Sequence, residues 1–163
     1  MNTVKTTTRH SLYYIVVFLA LAMASCGNQK TLMHEFYAID AEEWNISDSL
    51  HFEIDSVTSG GRCETTLEFR TNSNYPYRNI SIVMAMALRN ENRRITKTLA
   101  YDFVDASGRK NGEGITYLTH RVPFCTTDIQ TGDTVDIFIR HNMQDNILPG
   151  IADVGVLVER IEN

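Results

Sequence analysis

The chain has 163 residues, with fifteen basic and twenty acidic side chains and a formal net charge of −5. That length fits one domain with a sizeable core. An acidic balance without a basic cluster excludes nucleic acid and anionic lipid headgroups from the partners the composition would suggest.

The first element is residues 12–26, LYYIVVFLALAMASC. Lys5, Arg9 and His10 precede it, and no acidic residue occurs before Glu35. A positive flank, an apolar run and small residues make a secretory signal. The apolar run from Leu12 to Met23 is twelve residues, short against the roughly 20 of a membrane span. Met23-Ala24-Ser25-Cys26 has the form of a bacterial lipobox, in which the thiol is acylated and the chain is cut just before it. The expected organisation is therefore a lipoprotein signal peptide over 1–25, a lipidated tether over 26–33, and a single domain over 34–163. The signal carries two of the fifteen basic residues and none of the acids. The mature chain thus has thirteen basic residues against twenty acidic, a formal charge of −7. Acyl chains on Cys26 are then the link to the bilayer, since a stable anchor needs more than one chain.

Cys63 and Cys125 remain as an even pair in an exported protein, where a disulfide can persist. A reactive thiol or two buried free thiols are the alternatives, and spacing alone does not choose among them.

After the polar tether the chain reads as strands. Glu35 to Trp44 is a candidate edge strand. Leu50, Phe52 and Ile54 alternate with His51 and Glu53, a half-buried pattern of period two. Gly60-Gly61 mark a turn, and Cys63, Thr65, Leu67 and Phe69 continue the alternation. Residues 72–79 form a loop containing Pro76. Residues 80–88, ISIVMAMAL, are apolar on both parities and read as a central strand covered on both faces, with a short helix as the competitor. Further strands are expected over 95–104, 115–122, 134–141 and 154–160, with a turn-rich stretch at 105–114. One short helical turn is expected within 146–153. Seven or eight strands without a long amphipathic helix predict an all-β fold, an antiparallel β-sandwich of immunoglobulin-like or jelly-roll type.

The residues offer little catalytic chemistry. No His has another His, Cys or carboxylate at a metal-ligand spacing such as HxxxH, and no GxSxG elbow, P-loop or GxGxxG is present. His51 and His120 fall on the parity opposite the larger apolar residues and are expected to face solvent. No enzyme, metal or cofactor is expected, and a small-molecule ligand is not favoured. The aromatic residues are better candidates for contact. Trp44, Tyr75 and Tyr77 lie in predicted loops or strand ends, where an apolar ring can also meet water or a partner. Each could instead pack on the core, the reading favoured for Trp44. Leu148 poses the same choice. Pro149 cannot sit in a central ladder, so Ile147, Leu148 and Ile151 are expected in a loop that either plugs the sandwich end or forms a docking patch.

The pieces Asp48-Ser49-Leu50, Leu67-Glu68-Phe69-Arg70, Asn74-Tyr75-Pro76-Tyr77-Arg78-Asn79-Ile80, Gly108 with Gly112 and Gly114, Met143, Leu148-Pro149-Gly150-Ile151 and Asp153-Val154-Gly155 follow the lipobox in order. In these the chain resembles the gliding motility lipoprotein GldH family of the Bacteroidetes, from Cys26 to residue 160. Lys110-Asn111 depart from the aromatic residue expected before Gly112. The resemblance implies a non-catalytic envelope lipoprotein, accessory to gliding motility or its associated secretion machinery and acting on other cell-envelope proteins. The absence of acids after Cys26 favours the periplasmic face by the same resemblance. The alternative is a glycan-binding lipoprotein that uses the loop aromatics.

Overall fold

The computed structural model describes residues 30–161. The signal segment, Cys26 and the first tether residues lie outside the described residues. Ten strands and one short 3-10 turn make up the domain: β1 (Thr31–Ala38), η1 (Asp40–Glu42), β2 (Glu43–Asn45), β3 (Leu50–Ile54), β4 (Gly61–Thr71), β5 (Asn79–Leu88), β6 (Arg93–Asp102), β7 (Leu118–Ile129), β8 (Val135–His141), β9 (Ile147–Pro149) and β10 (Ile151–Arg160).

Two four-stranded antiparallel sheets, in the orders β1-β10-β4-β7 and β3-β8-β5-β6, face each other, and β2 pairs with β9 in a separate ribbon. The pairing has one logic. The first strand pairs with the last, β2 with β9, β3 with β8, β4 with β7 and β5 with β6. The chain is one long hairpin rolled over on itself. The added pairings β10–β4 and β5–β8 close the roll into two sheets. This is the jelly roll, and the β2–β9 ribbon is the corner where the doubled chain passes from one sheet to the other.

Period-two patterning puts one row of each strand inside. In β5 the inner row is Ile80, Ile82, Met84, Met86 and Leu88, all buried, and in β8 it is Val135, Ile137 and Ile139. The other face of β5 is not fully covered: Ser81, Val83 and Ala87 are half-buried and only Ala85 is buried. The expectation of cover on both faces is corrected there. Val83 and Ala85 instead floor a shallow trough with Phe138, between Arg94 and Arg140.

Besides a register shift at the start of β1, between Thr31 and Met33, two bulges reset the alternation. The register of β4 on β7 shifts between Thr65 and Thr66, opposite Cys125 and Pro123. Pro123 is tolerated because β7 is a sheet edge. A second shift falls between Ile151 and Asp153, so Ile151 and then Val154, Val156 and Val158 all face the core. Along one side of the sandwich, edge strands β6 and β7 are joined by side chains. Lys97 donates to the Phe124 carbonyl (2.8 Å), and Arg93 donates to Thr127 Oγ1 (2.8 Å) and the Asp128 carbonyl (2.9 Å).

Two further readings change, and one that the sequence left open is decided. The tether is shorter than expected, since β1 begins at Thr31 and Met33 is already buried. The tail holds no helical turn: β9 and β10 occupy it. Cys63 and Cys125 are free thiols. Cys63 faces Thr127 and Cys125 faces Thr65 across the β4–β7 ladder, so the two cysteines are diagonal rather than opposite. Such neighbours stand roughly 7–8 Å apart, beyond ordinary disulfide reach. Burial pushes both thiols above the usual cysteine range, which leaves little thiolate to react.

Candidate functional site

The register gives the sandwich two distinct ends. Thr31 pairs with Glu159, and Arg160 N–H donates to the Lys30 carbonyl (2.7 Å). The tether therefore enters beside the end of β10, at the end that also carries the β3–β4 and β7–β8 turns. At the opposite end Ala38 pairs with Asp153, Thr71 with both Ile151 and Leu118, and Asn79 with Asp102. There the segments 39–46, 72–78, 103–117 and 142–150 gather.

Trp44 and Leu148 meet at this tether-distal end as partners in the β2–β9 ribbon, both fully buried. The Trp44 indole donates to the Asp48 carbonyl (3.3 Å), and its ring meets His141 edge-on with centroids 5.4 Å apart. These two residues plug the end of the core. Of the two readings open for each of them, core and contact, the structure takes the core one, and they are not available as contact residues. Ile147, the neighbour of Leu148, points outward instead.

The Tyr75-Pro76-Tyr77 loop is held by the segment around Gly150. Gly150 has φ +82°, and a Cβ there would overlap the Tyr75 backbone nitrogen. Asn72 N–H donates to the Gly150 carbonyl (3.0 Å), and Gly150 N–H donates to the Glu42 carbonyl (2.8 Å). Glu42, itself at φ +57°, accepts through its carboxylate from the Asn72 amide and from Tyr117 OH (2.7 Å). A non-glycine residue in that region is uncommon and persists where its surroundings over-determine it.

Tyr75 donates its hydroxyl to the Asn79 carbonyl (2.9 Å) and meets Tyr77 (5.5 Å, 73°) and Phe103 (4.8 Å, 54°) with its ring. Tyr77 donates to Asp145. The two tyrosines line a pocket of about 280 Å³ whose other walls include Phe103, Val104, Leu118, Arg78 and Lys110. Of the residues singled out in the sequence, Tyr75 and Tyr77 are thus the pair that stays at an accessible site.

His120 lies below and is fully buried, not solvent-facing as its parity suggested. Its Nε2 is 2.9 Å from Thr71 Oγ1 and its Nδ1 is 3.3 Å from Tyr101 OH. Phe69 and Phe103 pack on the ring, with centroids 5.0 and 4.8 Å away. Burial lowers this imidazole to about 4, so it is neutral at physiological pH. Gly112 crosses it so closely that a Cβ would come within 2.5 Å of His120 Cε1.

Each sheet also carries a clamped acid on its outer face. Glu68 is held by His34 (2.8 Å) and Arg121 (2.6 Å). Burial alone would raise its carboxyl, but the bonds from His34 and Arg121 outweigh this and hold it below the usual range. Asp136 is held by Arg89 (2.5 and 2.7 Å) and His51 (2.8 Å), and Arg89 keeps its carboxyl low against burial. His51, Glu53 and Asp136 bring their ligand atoms within 4.8 Å of one another, a convergence from two strands that linear spacing could not reveal. Arg89 reaches Glu53 as well (3.1 Å), so a guanidinium already balances both carboxylates.

Residues 31–158, almost all of the described domain, match the family model described as GldH lipoprotein. The chain belongs to the GldH lipoprotein family. The gliding motility lipoprotein GldH homolog of Christiangramia forsetii is similar at 23% identity over 159 residues, covering 92% of this chain and 96% of that protein. Gliding motility lipoprotein GldH of Flavobacterium johnsoniae is similar at 21% over 153 residues, covering 90% and 94%. Membership of the GldH family places the protein among lipid-anchored envelope proteins, as the lipobox at Cys26 predicts. The two stretches most specific to the GldH resemblance, Asn74 to Ile80 and Leu148 to Ile151, are the ones that Gly150 packs together here.

Proposed function

We propose that this protein is a non-catalytic lipoprotein of the gliding motility apparatus or its associated secretion machinery. It is anchored through Cys26, faces the periplasm, and acts by holding the tether-distal end of its jelly roll against other envelope proteins. One observation carries this reading. The exposed large apolar side chains among the described residues are Phe36, Tyr37, Ile115, Tyr117 and Ile147, and every one lies in the half of the domain away from the tether. A polar base and an apolar far end suit a protein presented to partners by a lipid stalk. The curated relatives carry gliding motility in their names, which supports the apparatus. The pocket lining contains no carboxylate, histidine or cysteine, which supports a binding role over a catalytic one.

The test uses the full lipoprotein in its own membranes. Ile115→Glu combined with Phe36→Glu should reduce recovery of envelope proteins by mild-detergent pull-down at least about fivefold and should impair cell spreading, with melting unchanged. Two glutamates placed at Gln130 and Ser59, at the tethered end, should leave recovery intact. Equal recovery from both variants refutes the assignment. Cys26→Ala should abolish fatty-acid labelling and leave the precursor uncut, and label retained in that variant would refute the anchor.

A further inference from the structure

We propose that the pocket beneath the Tyr75-Pro76-Tyr77 loop receives an extended segment of a partner protein in which an apolar side chain stands next to a carboxylate. The inference rests on the docking role of the tether-distal end and names the chemistry that end recognises.

The pocket has an apolar floor from Tyr75, Tyr77, Phe103, Val104 and Leu118, with Arg78 and Lys110 at its margin. The loops bearing those two cations are laced together: Phe103 N–H donates to the Arg78 carbonyl (2.8 Å), and Val104 bridges to Lys110. Arg70, Arg89, Arg93, Arg109 and Arg121 each pair with an acidic side chain. The side chains of Arg78 and Lys110 bond to no other described residue. Arg62, Arg94 and Arg140 make no ion pair among the described residues either, but of these five cations only Arg78 and Lys110 border this pocket. Two unmatched cations beside one apolar pocket are therefore a charge complement awaiting an external anion.

The size and walls of the pocket select the kind of ligand. About 280 Å³ is at or below the roughly 300–1,000 Å³ of sites that enclose a whole small molecule, and it suits one side chain of a longer chain. The Tyr75 ring is met edge-on by Tyr77 and at a steep tilt by Phe103, which leaves it a poor flat platform for a sugar ring. A bilayer lipid is anchored at the other end of the domain. A peptide segment fits all three: the apolar side chain enters, and the carboxylate meets Arg78 and Lys110 at the margin.

The experiment places a photoreactive diazirine side chain at Ser73, on the pocket lining, in the full lipoprotein in its own membranes. A second protein carries it at Ile115, outside the pocket at the same end. Adducts are mapped by mass spectrometry. The Ser73 adduct should fall on a protein segment with Asp or Glu within about two residues of the attachment point, and Arg78→Glu with Lys110→Glu should reduce its yield at least about tenfold. Neither of those side chains is bonded to another described residue, so the melting temperature of the double variant should match the wild type. A Ser73 adduct on a glycan, a lipid or a segment without acids overturns the proposal. So does a yield within about twofold after charge reversal. An Ile115 adduct without a Ser73 adduct removes the pocket ligand and leaves the docking end standing, whereas no protein adduct from either position removes both.

Discussion

Lowering the pH from 7 to 5 should cost the domain about 2 kcal/mol through one side chain, His120. Burial brings its folded value from 6.5 to about 4, so between these limits the unfolded chain takes up a proton that the folded domain does not. Stability therefore falls as the pH falls through 6.5 and goes on falling toward 4. With 1.36 kcal/mol per pH unit, the penalty is about 0.2 kcal/mol at pH 7 and about 2 kcal/mol at pH 5. Replacing the imidazole with an amide that can still meet Thr71, His120→Gln, removes this slope whatever it does to stability at pH 7. Burial lowers His141 too, but that contribution is common to both proteins and cancels in the comparison. The assay is urea denaturation of wild type and His120→Gln at both pH values. The wild type should lose about 2 kcal/mol more than the variant. Equal losses within about 0.5 kcal/mol, near the error of the extrapolation, would refute the reasoning that this histidine is held dry and neutral under Phe69, Phe103 and Gly112.

Leu148→Ala should destabilise by about 2–5 kcal/mol, because it opens a cavity beneath Trp44 at the sandwich end; a change below about 1 kcal/mol by the same urea assay would remove Leu148 from the core. Gly150 and Gly132 both have φ +82°, but a Cβ meets the Tyr75 backbone at Gly150 and nothing within 4 Å at Gly132. Gly132→Ala should therefore cost about 1–2 kcal/mol from conformation alone, and Gly150→Ala clearly more; equal costs would mean that the Tyr75 loop is not seated on Gly150. Mature protein denatured without reductant should take up alkylating reagent at both Cys63 and Cys125, and a mass showing neither modified would establish a bond between them.

The strands were legible where one row of apolar residues faces one core. Leu50-Phe52-Ile54 and Val135-Ile137-Ile139 alternate without interruption, and both stretches form strands where strands were expected. His120 was misplaced because Ile115 and Tyr117 supplied the reference parity. Both belong to an exposed loop, β7 begins only at Leu118, and the true inner row is the other one. The bulge opposite Thr65 then changes parity again within β7, a shift that period-two counting cannot detect. Trp44 and Leu148 could be read as core or contact because each stands in a three-residue strand, too short to show a period. Their partnership, like the choice of jelly roll over immunoglobulin-like order, depends on pairing between distant segments. The link between the Tyr75 and Gly150 stretches was legible only as a family resemblance; their contact came from the backbone geometry.

The rolled hairpin also bears on how the chain comes to be folded. Its outermost pair joins Thr31 and Glu159, 128 positions apart, and β10 lies between β1 and β4. Until the last strand is available, β1 has no ladder in which to sit and one edge of β4 is open. Such long-range closure is slow, because the entropy of bringing the ends together is lost before the contacts form. If the chain is exported as an unfolded thread, as its signal segment predicts, that delay is useful: the order of pairing postpones the finished sandwich core until the whole chain has emerged. The same interval leaves strand edges open to other chains, so escort during transit is a need written into the topology itself.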